Sequence, residues 1–304
     1  MTDHPATPDR QGGGDLRSIA TIAWPALGML MVASVGSIAQ LSDSASFGLG
    51  AVTVYLIPAL LFLLPVGLIS AELATSHEGG IFVWVRSAFG DRTGFQATWF
   101  VFMNSVTLYP SLLSFGSAAL ANALGRPDLA QNGAYMGTVV LVVFWLATWI
   151  VSRGMKSSTG ISNIGLTFGT IVPALALIFF MFAWLVDDKT SQVSYDGLSS
   201  LVPPVTGLSS IALVVGTFVA FAGLEVNAVH IAKMKGPPKN YLRAVVLAAC
   251  TVFVMYLLGS LAISVVVPDA TLELTSGASQ AFTAYADGFG IPDLSNVLSG
   301  LLVL

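Results

Sequence analysis

The sequence predicts an all-α polytopic membrane protein, and three observations predict it. Hydrophobic residues fill 55% of the 304 positions and charged residues only 9%, where a soluble domain carries about 25% charged residues. Mean hydropathy is +0.82. The apolar residues gather into seven long stretches and the beginning of an eighth, and about 20 helical residues cross a hydrocarbon core about 30 Å thick.

Residues 1–15 are polar and Gly-rich (Gln11-Gly-Gly-Gly14) and lack the apolar core of a signal peptide. They read as a disordered cytoplasmic tail. Span 1 runs from about Leu16 to Leu41, interrupted by the small-residue run Ala33-Ser-Val-Gly-Ser37. Span 2 covers about Leu49 to Leu73, where Pro58 and Pro65 are expected to kink it. The loop Thr75–Gly80 leads to an interfacial helix over Ile81–Gly90, with Trp84 at the boundary. Spans 3, 4 and 5 follow at about Gly94–Leu124, Tyr135–Val151 and Ile161–Val186. A polar loop separates them from span 6, at about Leu208–Ala232, and span 7, at about Tyr241–Val267. A second polar loop reaches Leu294, where span 8 begins.

Basic residues set the orientation. With the N-terminus inside, Arg10, Arg17, Arg86, Arg92, Arg153, Lys156, Lys233, Lys235, Lys239 and Arg243 face the cytoplasm, and Arg126 and Lys189 face out. The outer loops then hold most of the acidic residues, Asp43 among them. An acidic mouth attracts cations, but acidic outer loops are also common. The net charge of −4 belongs to loops and does not suit a nucleic-acid binder. Cys250, the single cysteine, reads as a small buried apolar residue. H-E-x-x-H, G-x-S-x-G and P-loop patterns are missing and the three histidines lie far apart. The reading is therefore not an enzyme, with no cofactor and no metal.

Chemistry concentrates in span 6. The run from Thr217 to Ala232 is apolar, yet it holds Gly223, Glu225, Asn227 and His230. A carboxylate at membrane depth costs roughly 2.5–3.5 kcal/mol on insertion scales, so intramembrane carboxyls default to function. Glu225 is open to three readings: a proton-coupled gate, since burial favours the neutral carboxyl; a partner for a substrate ammonium; or a structural, hydrogen-bonded carboxyl. The functional readings are favoured. Spans 1 and 6 each carry a glycine in a small or polar run, Ser34-Val-Gly36-Ser and Phe221-Ala-Gly223-Leu-Glu. Their starts lie five spans apart, and an odd offset inverts the second copy, as in transporters built from inverted repeats with broken helices. A broken helix binds a zwitterion without charged side chains. Its free N–H groups attract a carboxylate and its free carbonyls an ammonium. The N–H groups near Ser34, Val35, Gly36 and Ser37, and the carbonyls near Val219 and Ala222, are the candidates. Tyr109, Asn227 and His230 are secondary candidates. Packing is the favoured reading for Tyr109. His230, five residues beyond Glu225, does not share its face and is favoured as a packed or interfacial residue. Asn104 and Gln40 are polar at membrane depth without an assigned role.

Two longer motifs resemble a known family. Pro65-Val-Gly-Leu-Ile-Ser-Ala-Glu-Leu-Ala-Thr75 with Glu78-Gly-Gly-Ile-Phe-Val-Trp-Val85 and Ala88-Phe-Gly90 is similar to the span 2 to span 3 segment of the amino acid–polyamine–organocation transporters. Phe221-Ala-Gly-Leu-Glu225, Ala228-Val-His230 and Pro238-Lys-Asn-Tyr-Leu-Arg-Ala244 resemble that family's broken span 6 and the segment after it. Tyr109-Pro110 with Leu113-Ser-Phe115, and Val267-Pro268 leading to Gln280-Ala-Phe282, are most similar to bacterial glutamate:γ-aminobutyrate antiporters. The resemblance implies a LeuT-like fold of five-plus-five inverted repeats, in which residues 16–186 form the first repeat, 187–207 an extracytoplasmic loop and 208–304 part of the second, cut within span 8. It implies a multi-pass protein of the cell membrane that takes a small amino acid substrate, with a homodimer as an open assembly. It also implies alternating-access exchange of an amino acid, such as glutamate for its decarboxylation product, with Glu225 at the gating position. Span 1 departs from the family's Gly-Ser-Gly run, so exchange or import of other amino acids or polyamines stays open. The length leads to the expectation of a fragment of a longer frame or a truncated product, and leaves a non-transporting sensor open.

Overall fold

The computed structural model describes residues 22–76, 80–152, 164–205, 207–237 and 239–303. The expected N-terminal tail, His77, Glu78, Arg153, Lys156 and Pro238 lie outside the described residues. All regular elements there are helical, apart from one isolated parallel bridge between Ile22 and Met234.

Span 1 is two helices, α1 (Trp24–Val35) and α2 (Ile38–Ala45), bent by 48°. Asp43, expected in a loop, instead lies inside α2, because the helix resumes past the break and continues through Leu41-Ser-Asp-Ser-Ala45. Span 2 is α3 (Gly48–Ser76). The expected kink is a π-helical segment over Ala59–Leu63, between Pro58 and Pro65; each proline lacks an N–H, and a shift in register lets neighbouring carbonyls find other partners. α4 (Gly80–Phe89) is the short amphipathic helix, with Trp84 packed into the core. α5 (Asp91–Ala123), α6 (Gly133–Ser152) and α7 (Gly165–Val186) follow. Span 6 is α8 (Leu208–Ala220) followed by a 3₁₀ segment, Leu224–Lys233. Span 7 is α9 (Lys239–Val266).

Five described helices are long and apolar enough to cross a membrane, six with the bent pair counted as one span. The sequence reading of seven differs at α5. That helix has 33 residues, about 50 Å at 1.5 Å per residue, so length is ample. Its Gln96, Asn104, Ser105, Thr107 and Ser111 dilute the hydropathy. A second difference is α10 (Gly277–Gly288), which lies where only a polar loop was expected. It is too short to span, yet Ala278, Ala281, Phe282 and Tyr285 are buried, and Tyr285 Oη donates to the Ala262 carbonyl at 2.7 Å. α11 (Asp293–Leu301) lies where span 8 was expected to begin.

The core forms around α9. It packs against α1, α2, α3, α7 and α10, and Ala244, Ala248, Val252, Tyr256 and Ile263 along it are fully buried. Small residues let α1 approach closely, which is how helices associate without a hydrophobic driving force in lipid. Cys250, expected to be buried, is exposed on the opposite face of α9, in an apolar groove. α6 contributes no buried residue.

The loop after α7 forms a strap across one end of the bundle. Thr53 Oγ1 donates to the Leu201 carbonyl at 2.6 Å, and the Gln192 amide donates to Val265 at 2.9 Å. Lys189 Nζ lies 4.2 Å from the Phe289 ring centre and 5.2 Å from that of Trp184, a cation–π clamp that ties the strap to α10. At the opposite end, the Lys235 amide donates to the Ile22 carbonyl at 2.8 Å and joins the outer ends of α1 and the 3₁₀ segment.

Candidate functional site

The two interruptions expected in spans 1 and 6 face each other. At the first, α1 ends at Val35, and Gly36 and Ser37 are extended before α2 begins. Gly36 has φ −67°, open to any residue, so its backbone angles do not demand glycine. Space does: an added Cβ would lie 2.8 Å from the Val32 carbonyl oxygen and 3.0 Å from Met255 Cε. At the second, Gly223 has φ +118°, a conformation that favours glycine. An added Cβ there would stand 3.1 Å from the Ser34 carbonyl oxygen, across the gap on span 1. The ten-residue 3₁₀ segment that follows is far longer than the usual three or four residues, and such stretches often mark a functional hinge.

Side chains join the breaks. Asn227 Nδ2 donates to Ser34 Oγ at 2.7 Å. Ser34 Oγ in turn donates to the Met31 carbonyl at 2.8 Å, with the Gly223 carbonyl at 3.3 Å. Asn227 is 6% exposed, so the bond is shielded. Glu225 is half-buried, and its Oε2 accepts the Gly223 amide at 3.1 Å. The carboxylate thus caps the turn that precedes it, satisfying an amide that a helix start leaves open.

The amides expected to meet a carboxylate are partly engaged. The Gly36 amide donates to Val32 at 2.6 Å, closing the last turn of α1, and the Ser37 amide donates to Tyr256 Oη at 3.2 Å. Ser34 and Val35 lie inside α1, where their carbonyls, not their amides, point beyond the helix end. The first amides of α2 belong to Ile38 and Ala39. The Val219 carbonyl accepts the Ala222 amide at 3.0 Å, while Ala222 is half-buried at the turn itself.

His230 lies farther along the 3₁₀ segment, toward the Ile22–Met234 end. Tyr109 is 56% exposed on α5. Gln40, unassigned from sequence, lies in the first turn of α2, and its carbonyl accepts Tyr55 Oη at 3.3 Å. Sequence reasoning missed Tyr55 and Tyr256, two fully buried tyrosines stacked at 5.6 Å beside the breaks. The available signal was a phenol in an otherwise apolar span, which needs a partner when buried.

A cavity of about 550 Å³ adjoins the first break, bordered by Ala33, Ser37 and Ile38 of span 1, Leu113 and Ser117 of α5 and Gly169 of α7. That volume lies in the range of small-molecule sites. A second cavity of about 300 Å³ lies beneath the strap, with Asp196, Asp269, Ser46 and Gln192 on its walls. Elsewhere on the loops, Arg126 forms a two-pronged pair with Asp128 at 2.9 and 3.1 Å, and this bonding holds the Asp128 carboxyl below its ordinary range. Among the described residues no three His, Cys, Asp or Glu side chains converge as metal ligands.

Comparison with known proteins extends this picture. The amino acid permease family matches residues 20–304. An uncharacterized transporter of Legionella pneumophila is 34% identical over 278 residues, covering 91% of this chain and 59% of the relative. The glutamate/γ-aminobutyrate antiporter of Lactococcus lactis subsp. cremoris is 26% identical over 75% of this chain and 46% of its own length. A probable agmatine/putrescine antiporter of Lactococcus lactis subsp. lactis is 26% identical over 73% and 46%. The chain spans about half the length of the curated relatives it matches.

Proposed function

Because the chain belongs to the amino acid permease family, we propose that it serves in a secondary-active amino acid antiporter, one that exchanges glutamate or a related amino acid for γ-aminobutyrate or another decarboxylation product by alternating access. The observation that carries this reading is the pairing of two interrupted spans, linked by Asn227 and Ser34, with a carboxylate at the second. Interrupted helices expose backbone carbonyls and amides inside a bundle, and a zwitterion needs both. The names of two relatives supply the substrate classes. In this reading spans 1–5 and 6–8 are copies in opposite orientation, the N-terminus is cytoplasmic, and the strap lies outside. The substrate meets the Ile38 and Ala39 amides and the Phe221 and Ala222 carbonyls, and Glu225 gates by gaining or losing a proton.

The test is exchange in liposomes by the full-length polypeptide. Vesicles loaded with γ-aminobutyrate are expected to accumulate labelled glutamate, and empty vesicles are not. The cavity with Asp196 and Asp269 under the strap favours a second reading, exchange of cationic amines. Uptake driven by internal putrescine but not by γ-aminobutyrate selects it. Binding without flux selects a sensor.

A further inference from the structure

Tyr256 lies midway along α9 and is fully buried. Its hydroxyl is 2.5 Å from the carbonyl oxygen of Val35, the last residue of α1. The same oxygen accepts the amide of Ser37, the residue before α2, at 3.2 Å. It also lies 3.3 Å from the carbonyl oxygen of Ala220, the last residue of α8. One oxygen therefore touches the ends of three half-helices at both breaks. The ring is held in place: Tyr55 stacks on it at 5.6 Å with 24° between planes, and Phe221, the residue after α8, sits 5.6 Å away at 43°.

A hydroxyl has one proton, and the two carbonyls compete for it; Val35 is the nearer acceptor in this structure. Loss of either acceptor frees the proton to turn fully to the other, so a change at one break alters the hydrogen bonding of the other. The unbroken α9 is the fixed element on which this transfer happens. We infer that Tyr256 is a positioning residue that couples the two helix breaks, so that they rearrange together and not independently. Such coupling requires a shared physical element that both sites bias, and the Tyr256 hydroxyl is that element. Its consequence for exchange rests on the antiporter reading; the coupling itself involves no substrate.

The deciding experiment is hydrogen–deuterium exchange on the full-length protein without substrate, comparing wild type, Tyr256→Phe and Tyr55→Phe. Tyr256→Phe keeps the ring and removes the oxygen. It is expected to speed exchange by about tenfold or more in peptides covering residues 36–41 and also in those covering 219–224. Tyr55→Phe removes an equally buried hydroxyl from the same stack, bonded to Ser260 and the Gln40 carbonyl, and is expected to leave 219–224 unchanged. Acceleration at span 1 alone, at neither break, or equally in both variants overturns the coupling. Should Tyr256→Phe fail to fold, the wild type decides: the two peptides are expected to open with one shared free energy, and distinct values overturn the inference. In glutamate/γ-aminobutyrate exchange, Tyr256→Phe is expected to lower the maximal rate by about tenfold while apparent affinity changes by less than about threefold. A wild type that does not exchange these substrates refutes the antiporter reading and leaves the exchange measurement to judge the coupling.

Discussion

The two helix breaks look alike in sequence, a glycine in a small or polar run, but they are made by different physics. Gly223 is required by its backbone angle, +118° in φ, and by its approach to the Ser34 carbonyl. Gly36 has ordinary angles and is required by crowding, between the Val32 carbonyl and Met255. After Gly36 the chain returns to a helix within two residues; after Gly223 it continues for ten residues as a 3₁₀ segment. An interruption imposed by packing is as rigid as its neighbours. One imposed by a backbone angle, followed by weaker i→i+3 bonding, is the natural place for movement. The span 6 break is the expected hinge, and the span 1 break the surface it works against.

The comparison can be broken most severely at Gly223. Gly223→Leu forces an unfavourable φ and a clash at once, and it is expected to cost about 2–3 kcal/mol of stability and abolish exchange; thermal unfolding of the purified protein and flux in liposomes check both. Gly36→Ala meets only crowding and is expected to cost about 1–2 kcal/mol. Met255→Ala is expected to cost less in that background than in the wild type, because Met255 Cε is one of the two offending atoms. No such relief is expected at Gly223, and equal relief at both sites would erase the distinction. Ser34→Ala leaves the buried Asn227 amide without its 2.7 Å acceptor and is expected to cost about 1–3 kcal/mol. A double-mutant cycle with Asn227→Ala is expected to show coupling of about 1 kcal/mol between the breaks.

The smallest stability effect is expected at Glu225. In Glu225→Gln a side-chain oxygen remains to accept the Gly223 amide, so stability is expected to hold within about 0.5 kcal/mol. Function is the sharper readout. Under the proposed gating role, exchange by the wild type depends on pH; Gln carries no ionisable proton, so the profile is expected to flatten. A variant that keeps the wild-type profile makes Glu225 a cap for the turn and nothing more.

Much of this was legible in the chain because lipid imposes a one-dimensional constraint. Spans α3, α6, α7, α8 and α9 were marked by long apolar runs, and both breaks by glycine beside polar residues. α10 was not legible, since twelve residues of mixed polarity carry no membrane signal and its burial depends on α7 and α9. Asp43 read as a loop residue because the resumption of span 1 after Gly36 leaves no apolar run long enough to show it. At the site, Gly223, Glu225 and Asn227 stood out from their apolar neighbours. Tyr256 did not, because a tyrosine in an apolar span reads equally as packing, and its three backbone partners come from segments up to 221 residues away.

By itself, then, the sequence determined that the chain is helical and membrane-spanning, where the long apolar helices lie and which two are interrupted, since these follow from composition and local propensity along a line. The tertiary structure decided what the interruptions mean. It set one break by crowding and the other by backbone angle, engaged amides that looked free and placed a single hydroxyl between them. Those outcomes depend on which atoms stand within about 3 Å across the bundle, and hydrogen bonds and steric contacts at that range act only between groups the fold has already brought together.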